Sequence, residues 1–283
     1  MSDVLVAAAI RHGDPGVPVD PLTGAVREDR GTGRASDAGP AALEHALRLA
    51  DALGGRCVAV TVAGAGADGM LREALAAGAH EVLRVEGPDH DGAATARTLH
   101  RALLERHGPP DVVVCGDEPA GHGTGATPAF LAARLGAAQA LGLLELRAAR
   151  DALDAVRGLD AGRCERLRIP LPAVCSVRAD CVRPRRAPLP AVLAASRAGI
   201  PVVTVAPPAS PDAVRTVAVR PYRPRPKVLP GPSGDTARDR MLALTGTFVP
   251  RTPPRVVAAA EPAHAVEELL GFLRAHGYLE QDR

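Results

Sequence analysis

Through residue 137 the sequence alternates, four times over, a short unbroken apolar run with a longer stretch whose leucines recur at helical spacing. Few folds accept that pattern. A strand that is apolar at every position must be covered on both faces, and helices between such strands carry the chain back across a sheet. The expectation is an α/β protein with a Rossmann-like parallel sheet and helices on both faces. Strands are predicted over 4–8, 57–62, 81–85 and 111–115, and helices over 41–53, 68–77, 93–107 and 125–135, with Gly78 closing the second helix. Ligands of such sheets sit beyond the carboxyl ends of the strands, in the loops that open helices.

After residue 140 the rhythm changes. The runs 143–147, 153–157 and 163–169 are shorter and alternate more, as a small antiparallel set would. Residues 170–177 (PLPAVCSV) read as another buried strand, 179–190 as a basic, proline-rich turn, and 201–206 as a last strand. From 207 to 257 prolines at Pro207, Pro208, Pro211, Pro221, Pro224, Pro226, Pro230 and Pro232 alternate with basic residues, which predicts an extended arm and no second core. An amphipathic helix over 264–276 ends the pattern. The division expected is therefore an α/β domain over 1–206 and an arm with a C-terminal helix over 207–283.

Composition narrows the function. Hydrophobic residues make up 46% of the 283 residues but aromatics only 2%, and four of the five aromatic side chains lie beyond residue 220. A chain that gripped a flavin ring or single-stranded nucleic acid unaided would bring stacking side chains. A net charge of +2 is too small to argue for a nucleic-acid partner or a membrane surface. No apolar run approaches the length of a membrane helix, and the N-terminal MSDVLVAAAI lacks the basic start of an export signal. Cys57, Cys115, Cys164, Cys175 and Cys181 form no C-x-x-C pair, which fits reduced thiols and a cytoplasmic location.

Two loops attract attention. Gly64, Gly66 and Gly69 spell G-x-G-x-x-G after a strand and before a helix, with Glu86 where a ribose-binding acid would stand; an NAD-dependent oxidoreductase is one reading, a plain strand–helix turn the other. The loop 115–128 (CGDEPAGHGTGATP) sets Gly121, Gly123 and Gly125 around His122 and Thr124, so that backbone N–H groups and a hydroxyl can converge on an anion at a helix start. The other reading is a surface loop. No nucleophile–base pair and no metal-ligand spacing stands out among the nine histidines and the cysteines, so no catalytic residue is expected.

Several stretches, in order, resemble the β subunits of electron transfer flavoproteins: VLVAAAIR (4–11) with ALEHALRLAD (42–51), LREALAAGAHEVLRV (71–85), VVVCG (112–116) with the loop to Thr124 and Gly125, and LPAVCSVRAD through RPRRAPLPAVLAA (171–195). The resemblance spans about residues 3–205 and implies an adenine nucleotide alpha hydrolase-like version of the α/β fold. It implies an electron-carrier subunit, not an enzyme, paired with an α subunit that holds most of an FAD site, and an AMP or a second FAD in the β subunit. It places the nucleotide at Ala7, Ser36, Asp37, Ala38, Gly39, Val62, Gly121, His122, Gly123, Thr124, Gly125, Ala126 and Thr127. It makes 178–190 the loop that docks flavin-dependent dehydrogenases, through Val182, Arg183, Arg185 and Arg186. The sequence departs from the family pattern at Asp117 (Lys in the family), Gly123 (Asp), Ser36 and Asp37 (Asn-Pro), Val182 (Leu) and Arg186 (Tyr). A stand-alone adenine-nucleotide sensing module is the competing reading of the same α/β half.

Overall fold

The computed structural model describes residues 4–13, 20, 22–24, 34–35, 38–89, 91–117, 125–207, 217–218, 231, 234–245, 256 and 261–279. The chain divides into two units, residues 1–222 and 223–283. In the first, β1 (Leu5–Ala9) is followed by the two-residue pair β2 (His12–Gly13) and β3 (Arg34–Ala35). Then come α1 (Gly39–Leu53), β4 (Arg56–Val62), α2 (Asp68–Ala77), β5 (Glu81–Glu86), α3 (Gly92–Arg106), β6 (Val112–Gly116) and α4 (Thr127–Leu135). The remainder is β7 (Ala138–Ala148), β8 (Ala152–Gly158), β9 (Cys164–Pro170), β10 (Ala173–Val177), α5 (Leu189–Ser196) and β11 (Val202–Thr204). The second unit has α6 (Ala237–Thr245) and α7 (Pro262–Ala275).

One nine-stranded sheet runs β11-β5-β4-β1-β6-β10-β7-β8-β9. Its pairs are parallel from β11 to β7, and only β7–β8 and β8–β9 are antiparallel. The expected antiparallel set exists but is no separate sheet, because β7 is longer than its alternating centre suggests and pairs in parallel with β10. Two apolar layers cover the sheet. One joins Val6, Ala8, Cys57, Ala59, Val112 and Val114 to α1 and α2; the other joins Ala7, Val60, Leu83, Val85 and Val113 to α3 and α4. Alanine-rich helices approach the strands closely, which is how a chain nearly without aromatic residues still fills its interior.

Two helices fall where none was expected. The proline-rich 179–190 gives way to α5, for which Pro188 is the N-cap and Pro190 lies in the first turn, where a missing N–H costs nothing. Within the 207–257 segment, read as extended, α6 covers nine residues, with Thr236 Oγ1 accepting from Asp239 N–H at 3.1 Å at its start. Gly78 ends α2 at φ +112°, as predicted.

Burial holds His45, His100 and His107 below the ordinary imidazole value of 6.5. The unfolded chain therefore takes up protons near that value that the folded chain refuses. This contribution to stability is complete above pH 6.5 and is lost as pH falls below it. Urea midpoints are expected to drop between about pH 7.5 and 5.5, ahead of any carboxylate titration; equal midpoints at the two values would contradict it.

Candidate functional site

The chain leaves β1 through α1 for β4 and β5 on one side, then returns through α3 to β6 on the other. The order reverses between β1 and β6, and in open α/β sheets the ligand crevice forms beyond the carboxyl ends of such a pair. Two helices begin at this edge. Ala38 is the N-cap of α1 and Ala126 that of α4; both helices carry proline in the first turn, and neither has an acid there. Their N-terminal partial charges are thus left without a capping side chain at the N-cap position. The other two large helices differ. In α3 the Asp91 carboxylate caps Ala94 N–H at 2.7 Å, and α2 carries Asp68 in its own first turn.

Gly116, the last residue of β6, fits directly under the start of α1. A Cβ built on it would lie 2.8 Å from Ala38 Cβ and 3.2 Å from the Ala38 carbonyl carbon. Gly92, opening α3, sits equally close to the start of α4: its Cβ would meet Thr127 N at 3.1 Å and Thr127 Oγ1 at 3.3 Å. Asp117 follows Gly116, and its Oδ1 accepts from Ser176 Oγ at 3.0 Å, while Ser176 Oγ accepts from Gly142 N–H at 3.0 Å. The acid that stands for the family's lysine is thereby tied to the end of β10 and the middle of β7.

Of the residues the resemblance selects for the nucleotide, Ala38, Gly39, Gly125, Ala126 and Thr127 come to the two helix starts, and Val62 ends β4. Ala7 lies in the body of β1, fully covered, between Val58 and Val113. Ser36, Asp37, Gly121, His122, Gly123 and Thr124 lie outside the described residues. Gly116 and Asp117 were not singled out for the site. A glycine at the end of an apolar run was the available signal for the first.

The G-x-G-x-x-G loop follows β4, which lies between β1 and β5 and away from the reversal of strand order. A Cβ on Gly64 or on Gly69 would touch nothing within 4 Å. Arg84, largely buried, takes up both nearby acids: Nε is 2.8 Å from Asp68 Oδ1, close but not aligned as a hydrogen bond, and Nη1 pairs with Glu86. Glu86 pairs with Arg84 on its own strand, and the loop has the form of a strand–helix turn.

The docking candidates lie after β10. Val182 packs against the core layer of α1 and α2, whereas Arg183 and Arg186 are exposed. Arg185 turns inward: its Nε donates to Glu44 Oε2 at 2.8 Å and its backbone N–H donates to the same oxygen at 3.1 Å. Glu44 Oε1 accepts from Arg48 Nε at 2.7 Å. Burial by itself would raise the Glu44 carboxyl, but the hydrogen bonds from Arg185 and Arg48 prevail and hold it below its ordinary value. A cleft of about 240 Å³ borders this pair, between Leu43, Leu47 and Met70 on the helices and Pro184 on the loop. Burial pushes the thiols of Cys57, Cys115 and Cys175 up to about 12, which makes them inert core residues.

The Electron transfer flavoprotein domain description matches residues 23–208, more than half of the chain. The chain belongs to the electron transfer flavoprotein family. The match runs from the segment before α1 to just past β11, so β6, the starts of α1 and α4 and the loop 178–190 fall within the family domain, while β1 precedes it. A relative from Chromohalobacter salexigens, "Electron transfer flavoprotein subunit beta", is 29% identical over 256 residues, which cover 90% of each chain. The likeness therefore reaches into the second unit, and it is to the β type of subunit that this family member is similar. Among the described residues no helix is long and apolar enough to cross a membrane, and no group of three or more His, Cys, Asp and Glu could hold a metal ion.

Proposed function

We propose that this chain is the β subunit of a cytoplasmic, heterodimeric electron transfer flavoprotein. In this reading it pairs with an α subunit, helps hold the FAD of that subunit, and passes electrons from flavin-dependent dehydrogenases to a downstream acceptor. The flavin supplies the redox chemistry; the protein supplies position, charge and access. The observation that carries the proposal is the pair of helix starts at the switch point, each with an alanine at the N-cap and no acid in its first turn, inside a domain of this family. A nucleotide phosphate is the anion such an edge accepts. In this reading AMP, or the adenylate end of a second FAD, takes the edge between the starts of α1 and α4. The Pro-rich residues 207–283 are read as an arm that reaches the α subunit through α7, whose Val266, Leu269 and Phe272 are exposed.

Co-expression with an α subunit encoded beside this chain tests the reading. A one-to-one complex with flavin absorption and one AMP released on denaturation is expected, and removal of residues 257–283 should weaken it. Two flavins per heterodimer would replace AMP by a second FAD. A colourless chain that binds ATP or AMP alone and captures no α subunit would overturn the proposal in favour of a sensing module.

A further inference from the structure

Loop 178–190 is fastened to α1 at two consecutive residues. Glu44, with 4% of its side chain exposed, receives both the backbone N–H and the guanidinium of Arg185. His45, equally buried, has its Nε2 3.3 Å from Cys181 Sγ. Between these points Val182 packs inward and Arg183 is exposed; Arg186, just past Arg185, is exposed too, and neither Arg183 nor Arg186 makes an ion pair among the described residues. The three arginines are therefore unlike: Arg185 is used up within the chain, and the other two form its free cationic rim. A carboxylate on the buried side of a helix costs solvation that apolar packing would not, and removing either partner strands the other. Its gain here is geometric. The backbone hydrogen bond fixes the main chain at Arg185, and with it the directions of Arg183 and Arg186.

We propose that Glu44 is a positioning residue: with His45 it forms a two-point latch that holds loop 178–190 in its docking conformation. The docking part rests on the electron-transfer reading; the latch itself does not. Glu44→Gln keeps size but gives up the charge that Arg185 pairs with, so the loop should lift while the sheet stays folded.

The cysteines supply the measurement. Cys57, Cys115 and Cys175 are buried, Cys164 is exposed, and Cys181, in the loop itself, is half-buried against α1. In a Cys164→Ser background of the full chain, Cys181 is the one thiol that loop release alone would uncover. Its labelling by a thiol reagent is expected to quicken about 10- to 100-fold in Glu44→Gln, the factor a lost charge-assisted hydrogen bond gives to a local opening. Arg185→Lys, which keeps a cation beside Glu44, should fall between the two. An unchanged labelling rate in both variants would overturn the latch. So would labelling of the three buried thiols in step with Cys181, since that would make the pair a support of the whole fold.

The second arm uses the complex with the α subunit and follows flavin reduction by dithionite, which needs no docking surface, and by a dehydrogenase that reduces the wild-type complex. Support is a KM for the dehydrogenase raised about 10-fold with kcat and the dithionite rate unchanged. An unchanged KM alongside faster Cys181 labelling would overturn the docking role and leave the electron-transfer reading standing. A wild-type complex without flavin would overturn that reading and the docking role with it, while the labelling result would still decide the latch.

Discussion

Replacement of Gly116 by valine is expected to abolish nucleotide capture at the switch point and to destabilise the fold by about 2–3 kcal/mol, the upper part of the range for overpacking a close contact. The reason is the contact with α1. Even a methyl group at this position would lie 2.8 Å from Ala38 Cβ and 3.2 Å from the Ala38 main chain, so the start of α1 must move away from β6. That movement displaces Ala38 and Gly39, at the helix start where the proposed site would take its phosphate. Gly64→Ala is the matched control. Its Cβ meets nothing within 4 Å and its φ of −74° suits any residue, so stability and nucleotide binding should hold. Urea midpoints and AMP titration of the complex with the α subunit measure both effects. If Gly116→Val binds AMP as the wild type does, the crevice does not take the nucleotide; if Gly64→Ala loses binding, the turn after β4 was misjudged.

Leu131→Ala is expected to cost about 2–5 kcal/mol, a large share of the roughly 5–15 kcal/mol that holds a domain together. Leu131 is fully buried in α4 and belongs to the layer formed with Val85, Leu99, Leu103 and Val113. Its removal leaves a cavity that α3 and the strands cannot close without shifting α4, and α4 begins at Ala126 and Thr127. Weaker nucleotide binding should accompany the lower urea midpoint. A midpoint shifted by less than the equivalent of about 1 kcal/mol would show that the layer repacks freely.

The strands of the central sheet were legible because burial on both faces leaves only apolar residues acceptable: LVAAA in β1 and VVVC in β6 announce themselves. The helices between them were legible from leucine spacing and, in α2, from the glycine that must turn left-handed at its end. The helices α5 and α6 were hidden by prolines, which mark an interruption in a helix interior but are neutral in a first turn. The strand β7 was read too short because a bulge between Leu143 and Glu145 breaks its alternation, so its buried residues Ala140, Leu143 and Leu146 fall three apart and no period of two describes it.

The sequence by itself determined the α/β class, the order of the parallel strands' segments and the family kinship, since each rests on residues close together in the chain. Only the tertiary structure decided how those segments combine. It set β1 between β4 and β6, which moved the crevice away from the G-x-G-x-x-G turn and onto the starts of α1 and α4. It joined Glu44 to Arg185, 141 positions apart, and so divided three similar arginines into one structural residue and two free ones. Hydrophobic periodicity is local, because one helix turn or strand pleat repeats every few residues. The pairing of a buried charge is not local: its partner is whichever group the packed chain brings within hydrogen-bond distance.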